Sequence, residues 1–326
     1  MKKILKGIII ALIYLTLINS TKLMAQDLTY NNQYAQSLHL NPAFAGNNHG
    51  DIQLGYKEIW PAVPDNFSMY SFSYQHYIPA ISGGLALMLQ QENQINKTFK
   101  NTNVSLVYSY YLKIGKKLAL NTGFQYNYNQ HKLDFSKLIF SDQFDGTTWT
   151  NNTNEIAPGS LKVVGHDGSL GTILYTDRYF AGFSASHFIK YNTAYYGTNT
   201  LNTKYIGIIG AQWIRQSRTD MEKSPKNYYT TLSYLRQGKS YLIDVGNNYQ
   251  FSEFSIQTHY KKVRNATSLS LGAGFIKSFL NFSYLYEFSI LGQPKFNGGV
   301  HEINISLNFI NKSKKIEKNI INIPKF

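Results

Sequence analysis

The 326-residue chain contains no cysteine. That excludes a disulfide framework, thiol catalysis and thiolate metal sites. It also excludes a lipid-modified cysteine behind a leader. No segment reaches 18 consecutive apolar residues, so no helix can span a bilayer. Proline is scarce, at eight residues, and no Pro/Ser-rich linker divides the chain. A single large unit therefore fits better than two modules. The histidines form no HExxH and no close pair, and there is no Gly-rich nucleotide loop. Acids number 18 against 32 Lys plus Arg, a formal charge of +14. The cations are scattered over turns and loops, with no basic helix or RNP-like motif, which argues against nucleic acid. An anionic outer surface or an acidic partner is the better match for that charge. Solubility of the loops explains any single Lys equally well.

What the chain has in quantity is alternation with period two. Leu118, Leu120, Thr122, Phe124, Tyr126 and Tyr128 interleave with Ala119, Asn121, Gly123, Gln125, Asn127 and Asn129. Successive strand side chains point to opposite faces, so the segment has one aromatic face and one polar face. The pattern returns in Tyr70, Phe72 and Tyr74 against Ser71, Ser73 and Gln75. It returns again in Phe282, Tyr284 and Tyr286 against Ser283, Leu285 and Glu287, and in His301–Phe309. An unpartnered charge is costly in lipid, so Glu287 should face inward. Tyr (26) and Phe (20) are abundant, as suits rings at a headgroup interface. The mean hydropathy of −0.29 is compatible with a barrel, because half of each strand faces a polar lumen.

Fourteen such segments predict an all-β fold: a transmembrane antiparallel β-barrel of the outer-membrane type over residues 50–310. Residues 1–25 read as a signal peptide. Lys2, Lys3 and Lys6 precede a 12-residue apolar run, and cleavage falls near Ala25. Localisation in a bacterial outer membrane, among its lipids, follows. Residues 26–49 form a periplasmic N-terminal segment and 311–326 a basic tail. An even strand count puts both termini in the periplasm, with short turns there and longer loops outside. On this count Asp134–Asp167 is an outer loop. Gln216–Asn227 breaks that rule, being long on the periplasmic side: either a strand is miscounted or this connection, with Asp27–Gly46, is a candidate contact there.

The search for chemistry yields binding candidates. Ser184 and Ser186 share one strand face while His187 points to the other, which is poor geometry for a nucleophile and its base. Asp142-Gln143-Phe144-Asp145-Gly146 resembles a cation loop, yet position 12 from Asp142 is Thr153 rather than Glu. An Asx turn and a cation loop both remain open there. Trp60-Pro61-Ala62-Val63-Pro64 is a proline-stiffened apolar loop, which reads either as a partner contact or as an interface anchor. No cofactor or metal is expected, and no catalysis.

Several blocks together resemble the PorP/SprF family of Bacteroidota type IX secretion and gliding-motility membrane proteins. They are Gln33-Tyr34 and Leu40-Asn41-Pro42-Ala43-Phe44-Ala45-Gly46, then Trp60-Pro61, Ser73-Tyr74-Gln75, Gly83–Leu87 and Tyr108–Tyr111. Leu133–Gln143 and the closing His301–Phe309 complete the order. Glu58 and Ile59 depart from the family's usual residues before the Trp. The resemblance implies an outer-membrane barrel that works with secretion or gliding components in the periplasm. It implies a secreted, adhesin-like surface protein as the second partner, and binding without catalysis. A passive channel for small solutes is the alternative. The partner-binding candidates are Asn41, Pro42, Phe44, Trp60, Pro61, Asp142 and Gln143.

Overall fold

A computed structural model describes residues 27–309, apart from 34, 48–49, 145, 147, 149, 151, 216–225, 278 and 293–296. The leader (1–25), the Gln216–Asn227 connection up to residue 225, and the tail 311–326 lie outside the described residues.

Fourteen antiparallel strands close into one barrel. They are β1 (Asp51–Ile59), β2 (Phe67–Ile78), β3 (Gly83–Gln94), β4 (Phe99–Lys113), β5 (Ala119–Leu133), β6 (Lys162–Tyr175) and β7 (Tyr179–Ser186). The second half is β8 (Lys204–Arg215), β9 (Lys226–Gln237), β10 (Ser240–Phe251), β11 (Phe254–Val263), β12 (Ala266–Lys277), β13 (Leu280–Leu291) and β14 (Val300–Asn308). Each strand pairs with its chain neighbour, and β1 pairs with β14 from Asp51↔Asn308 to Ile59↔Val300. Closure leaves no strand edge unpaired, the condition for a sheet in lipid.

All fourteen expected strands are present, with most ends shifted by one to three residues and two shifted further. β6 starts at Lys162 rather than Gly168, because the long β5 pairs with it out to Lys132↔Lys162. Gly165-His166-Asp167 reads as loop from composition, and ladder pairing overrides that local preference. The outer loop therefore spans 134–161. β7 stops at Ser186 rather than Lys190, since His187 has φ +61 and cannot continue the pleat.

The facing is as the alternation requires. Leu106 is 59% exposed and Leu170 52%, whereas Ser105 is fully buried. Phe124, Tyr126, Phe282 and Tyr284 are exposed, and Tyr128 and Tyr286 are partly so. Asn121, Asn127 and Ser283 are buried inside, with Gln125 and Glu287 on the same face. The lumen carries polar ladders: Asn103 donates to Asn129 Oδ1 (2.6 Å), and Ser105 and Gln125 donate to Asn127 Oδ1 (2.7 and 2.6 Å). The strand ends that bound the longer connections, 60–66, 134–161, 187–203 and 292–299, lie at one end. The other end has the short turns 79–82, 114–118, 176–178 and 252–253.

Candidate functional site

The lumen is filled by the chain's own N-terminal segment. The described residues of 27–46 lie inside the barrel, with Asp27 against Gln237 at the long-loop end and Gly46 against Gln75 at the short-turn end. The sequence reading of a periplasmic segment at 26–49 is revised accordingly, since its described part up to Gly46 lies within the wall. The physical reason is a match of chemistry. The segment is rich in Asn, Gln and backbone polar groups, and the inward strand positions supply their partners.

At the long-loop end, Asp27 N donates to Gln237 Oε1 (3.1 Å). The Asp27 carboxylate meets Lys204 Nζ (2.9 Å) and His187 Nε2 (2.6 Å), and the other His187 nitrogen binds Asp167. Burial pushes the Asp27 carboxyl up, but Lys204 and His187 outweigh it and hold the group well below the usual carboxylate range. Burial opposes charge on His187, yet the hydrogen bonds its ring donates to Asp167 and Asp27 raise it above the ordinary imidazole value.

Deeper, the plug leans on the wall of β9–β14 and β1. Glu302 accepts from Asn31 N (2.6 Å) and Asn32 N (2.9 Å). Lys57 donates to Asn31 Oδ1 and Thr29 O. Asn32 donates to Ser283 (2.9 Å), and Gln33 to Ser233 (2.8 Å) and Asp244 (2.7 Å). Behind them Lys261 pairs with Glu287 (3.1 Å). Every buried charge here has an opposite charge or a hydrogen bond, which offsets the cost of burial.

The lower plug is a small 3-10 turn, Pro42–Phe44. Pro supplies the fixed φ of a first turn position. Asn41 caps it through Ala43 N (2.9 Å) while its amide donates to the Thr172 and Phe183 carbonyls (both 3.1 Å). In return Asn121 donates to Ala43 O, Ser184 to Leu40 O and Ser109 to Ala45 O. Two glycines make room: a Cβ at Gly123 would strike the Pro42–Ala43 backbone, and one at Gly171 would strike Asn41. Phe44 is 1% exposed and meets Phe180 edge-on at 6.1 Å. Leu38, Ala43, Phe44 and Ala45 join Ala86, Met88, Val107 and Ile173 in the barrel's apolar cluster.

The candidate residues thus separate. Asn41, Pro42 and Phe44 come together as the foot of the plug, buried against the wall and not offered at a surface. Trp60 and Pro61 lie at the long-loop end, where Trp60 N donates to Gly299 O (2.8 Å) and the indole meets Phe67 edge-on. Pro61 is exposed. Asp142 clasps its own loop, accepting from Thr153 Oγ (2.9 Å) and Asn154 N (2.6 Å); the latter bond leads in holding its carboxyl below the ordinary value. Gln143 is buried and accepts from Phe140 N (2.8 Å). Ser184 is committed to the Leu40 carbonyl, and both His187 nitrogens face carboxylates, so no hydroxyl sits against that ring. Sequence reasoning missed Lys57, Asp244, Lys261 and Glu302. Their signal was charge at inward-parity positions, the same sign that marked Glu287.

Beside the upper plug remains a cavity of about 190 Å³, between residues 27–42 and the β3–β6 wall.

Several solved barrels are similar in fold. The Pseudomonas putida toluene transporter TodX shares 11% identity over 86% of this chain and 95% of its own (TM-score 0.49). The Ralstonia pickettii toluene transporter TbuX shares 10% over 85% and 94% (0.49), and the CymD monoaromatic hydrocarbon channel 12% over 84% and 93% (0.48). Among curated proteins none matches the chain in sequence. The family model of the type IX secretion system membrane protein PorP/SprF matches residues 23–307, nearly the whole barrel and its plug, and the chain belongs to that family.

Proposed function

We propose that this outer-membrane barrel supports secretion or surface attachment of a specific partner protein by binding, without catalysis. The carrying observation is the filled lumen. A passive solute channel needs a continuous aqueous path, and here Asn41–Gly46 packs against β3–β7 with its polar groups paired and Phe44 in an apolar seat. The long loops 134–161 and 187–203 form the outer, recognising end, where Tyr196 donates to Ile156 O and links them. Surface loops on a rigid scaffold are where recognition resides. The machinery of secretion or gliding meets the short-turn, periplasmic end. Cleavage near Ala25 leaves the mature chain starting next to Asp27, at the mouth of the lumen.

Two measurements test this reading. A deletion strain should lose one or a few surface proteins from its cell surface while its general permeability to small solutes is unchanged. The purified mature barrel in planar bilayers should conduct weakly. Normal surface display together with a large, steady open-pore conductance would establish the channel alternative.

A further inference from the structure

Inside the barrel, charges are matched across the strands: Lys57 stands opposite Glu302, and Asp244 opposite Lys261. One outer row does the reverse. Lys100 on β4 is the direct partner of Lys132 on β5, and Lys132 of Lys162 on β6. All three share the parity of the exposed Leu106, Tyr126 and Leu170, so they stand on the outer face, at the long-loop end. Like charges directly opposite one another in a ladder repel. Among the described residues no other cross-strand partners carry like charges.

Nothing nearby neutralises the row. None of the three ammonium groups forms an ion pair among the described residues. Asp134, two residues past Lys132, accepts from Ser136 Oγ instead (2.7 Å). On β3 the partner of Lys100 is the neutral Asn93, while Glu92 faces the lumen.

Below the lysines the same face descends in register through Thr102, Gln130 and Val164 to Val104, Tyr128 and His166. Leu106 and Tyr126 follow. At about 3.4 Å per residue, Tyr128 lies roughly 14 Å along its strand from Lys132. That is the order of a lipid leaflet: hydrocarbon against Leu106, amphipathic rings at the interface, and cations at the height of anionic headgroups. Tyr126 Oη and His166 Nδ1 share a hydrogen bond (2.6 Å), and Nε2 of that ring has no partner among the described residues. In the matching Tyr284–His301 pair on β13 and β14, Nε2 is taken by Gly298 O (3.1 Å).

The lysines stand on wall strands and point sideways into the plane of the bilayer. A protein that docks on the loops from outside does not meet them. Strands about 4.8 Å apart give the row a span of about 10 Å, so three flexible stems converge on one headgroup. The long-loop end is the outer one by the rule of short periplasmic turns.

We propose that the outer face of β4–β6 at the long-loop end is a lipid site for the phosphorylated sugar headgroup of an outer-leaflet glycolipid. Lys100, Lys132 and Lys162 take its phosphates, and His166 Nε2 meets oxygens nearer the hydrocarbon. The site goes beyond the attachment reading and does not rest on it.

The test uses the full mature barrel in a zwitterionic detergent, with bound lipid followed by native mass spectrometry. The probes are diphosphoryl lipid A, the same lipid with both phosphates removed, inorganic phosphate and hexaglutamate. Diphosphoryl lipid A should be retained at least tenfold more tightly than the dephosphorylated form, and a hundredfold excess of inorganic phosphate should not displace it. A lysine beside an anionic headgroup is worth about fivefold in affinity. The combined Lys100→Gln, Lys132→Gln and Lys162→Gln barrel should therefore bind roughly a hundredfold more weakly, while Lys→Arg at the same positions keeps the binding. Arg236→Gln with Lys262→Gln, outward at the same end on β9 and β11, should leave it unchanged. Heat-modifiable gel mobility shows that each variant is folded. Equal retention of the dephosphorylated lipid, unchanged binding by the folded triple Gln variant, or an equal loss in the Arg236 and Lys262 variant overturns the site. Displacement by inorganic phosphate would make it a free-anion site, and tighter binding of hexaglutamate than of lipid A would make it a contact for an acidic protein; either result overturns the lipid assignment.

Discussion

Truncating Phe44 to Ala should unseat the plug while sparing the wall. Its ring is 1% exposed, touches Phe180 and sits among Leu38, Ala86, Met88 and Val107. Phe→Ala at such a site costs about 3–5 kcal/mol when the surroundings cannot collapse. Here they cannot, because the neighbours on the wall are fixed by the strand ladders of β3–β6. The loss therefore falls on plug docking, not on barrel closure. At 1.4 kcal/mol per decade, the open population rises roughly a hundred- to several-thousand-fold. The assay is thiol labelling of Ala86→Cys, an inward position beneath the plug in a chain with no other cysteine. Labelling that requires opening tracks the open population, so the Phe44→Ala background should accelerate it by at least a hundredfold. Folded barrels from both backgrounds must show equal heat-modifiable mobility. An unchanged labelling rate would refute the claim that Phe44 anchors the plug.

Further predictions test register, the latch and the loop. Leu106→Arg places a charge on the outward face midway along β4 and should cost about 2–4 kcal/mol, visible as reduced assembly into lipid, while Asn103→Arg on the lumen side should assemble normally; equal defects would reject the facing. The latch of His187 with Asp27, Asp167 and Lys204 should depend on pH. His187 is raised when folded, so its contribution is complete below its ordinary value of about 6.5 and is lost as pH rises through the raised value. Asp27 is lowered, so its contribution holds above about 3.9 and is lost only at strong acid. Amide exchange at Leu28 and Thr29 should therefore quicken, beyond its intrinsic pH dependence, from pH 6 to 9 in the native barrel, and His187→Gln should remove that excess. Trimming residues 139–156 should leave assembly intact and reduce surface display of the partner, whereas Asp142→Ala, which opens the Thr153–Asn154 clasp, should weaken display less.

The strands were legible because their signal is local. Alternation at Phe124–Asn129 or Phe282–Glu287 states at each position which face meets lipid, and a closed ladder keeps that parity. Even Glu287 declared its side. Boundaries were less legible where pairing outruns composition, as at Gly165-His166-Asp167, or where one backbone angle stops a strand, as at His187. The foot of the plug was partly legible: Asn41-Pro42 announces a capped turn, and the structure has one. What no stretch of sequence could state is where that turn goes. Residues 27–46 have the polar composition of a solvated segment, and local pattern ends there. Only barrel closure brings Gly123 and Gly171 to one spot, carves the notch that admits Asn41 and Pro42, and sets Glu302, Lys57 and Asp244 around Asn31–Gln33. The sequence by itself thus determined the lipid face and polar interior of each strand, since those depend on neighbours two residues apart. The tertiary structure alone decided that the interior is occupied, since that depends on partners up to 271 residues apart along the chain and adjacent only once β1 has met β14.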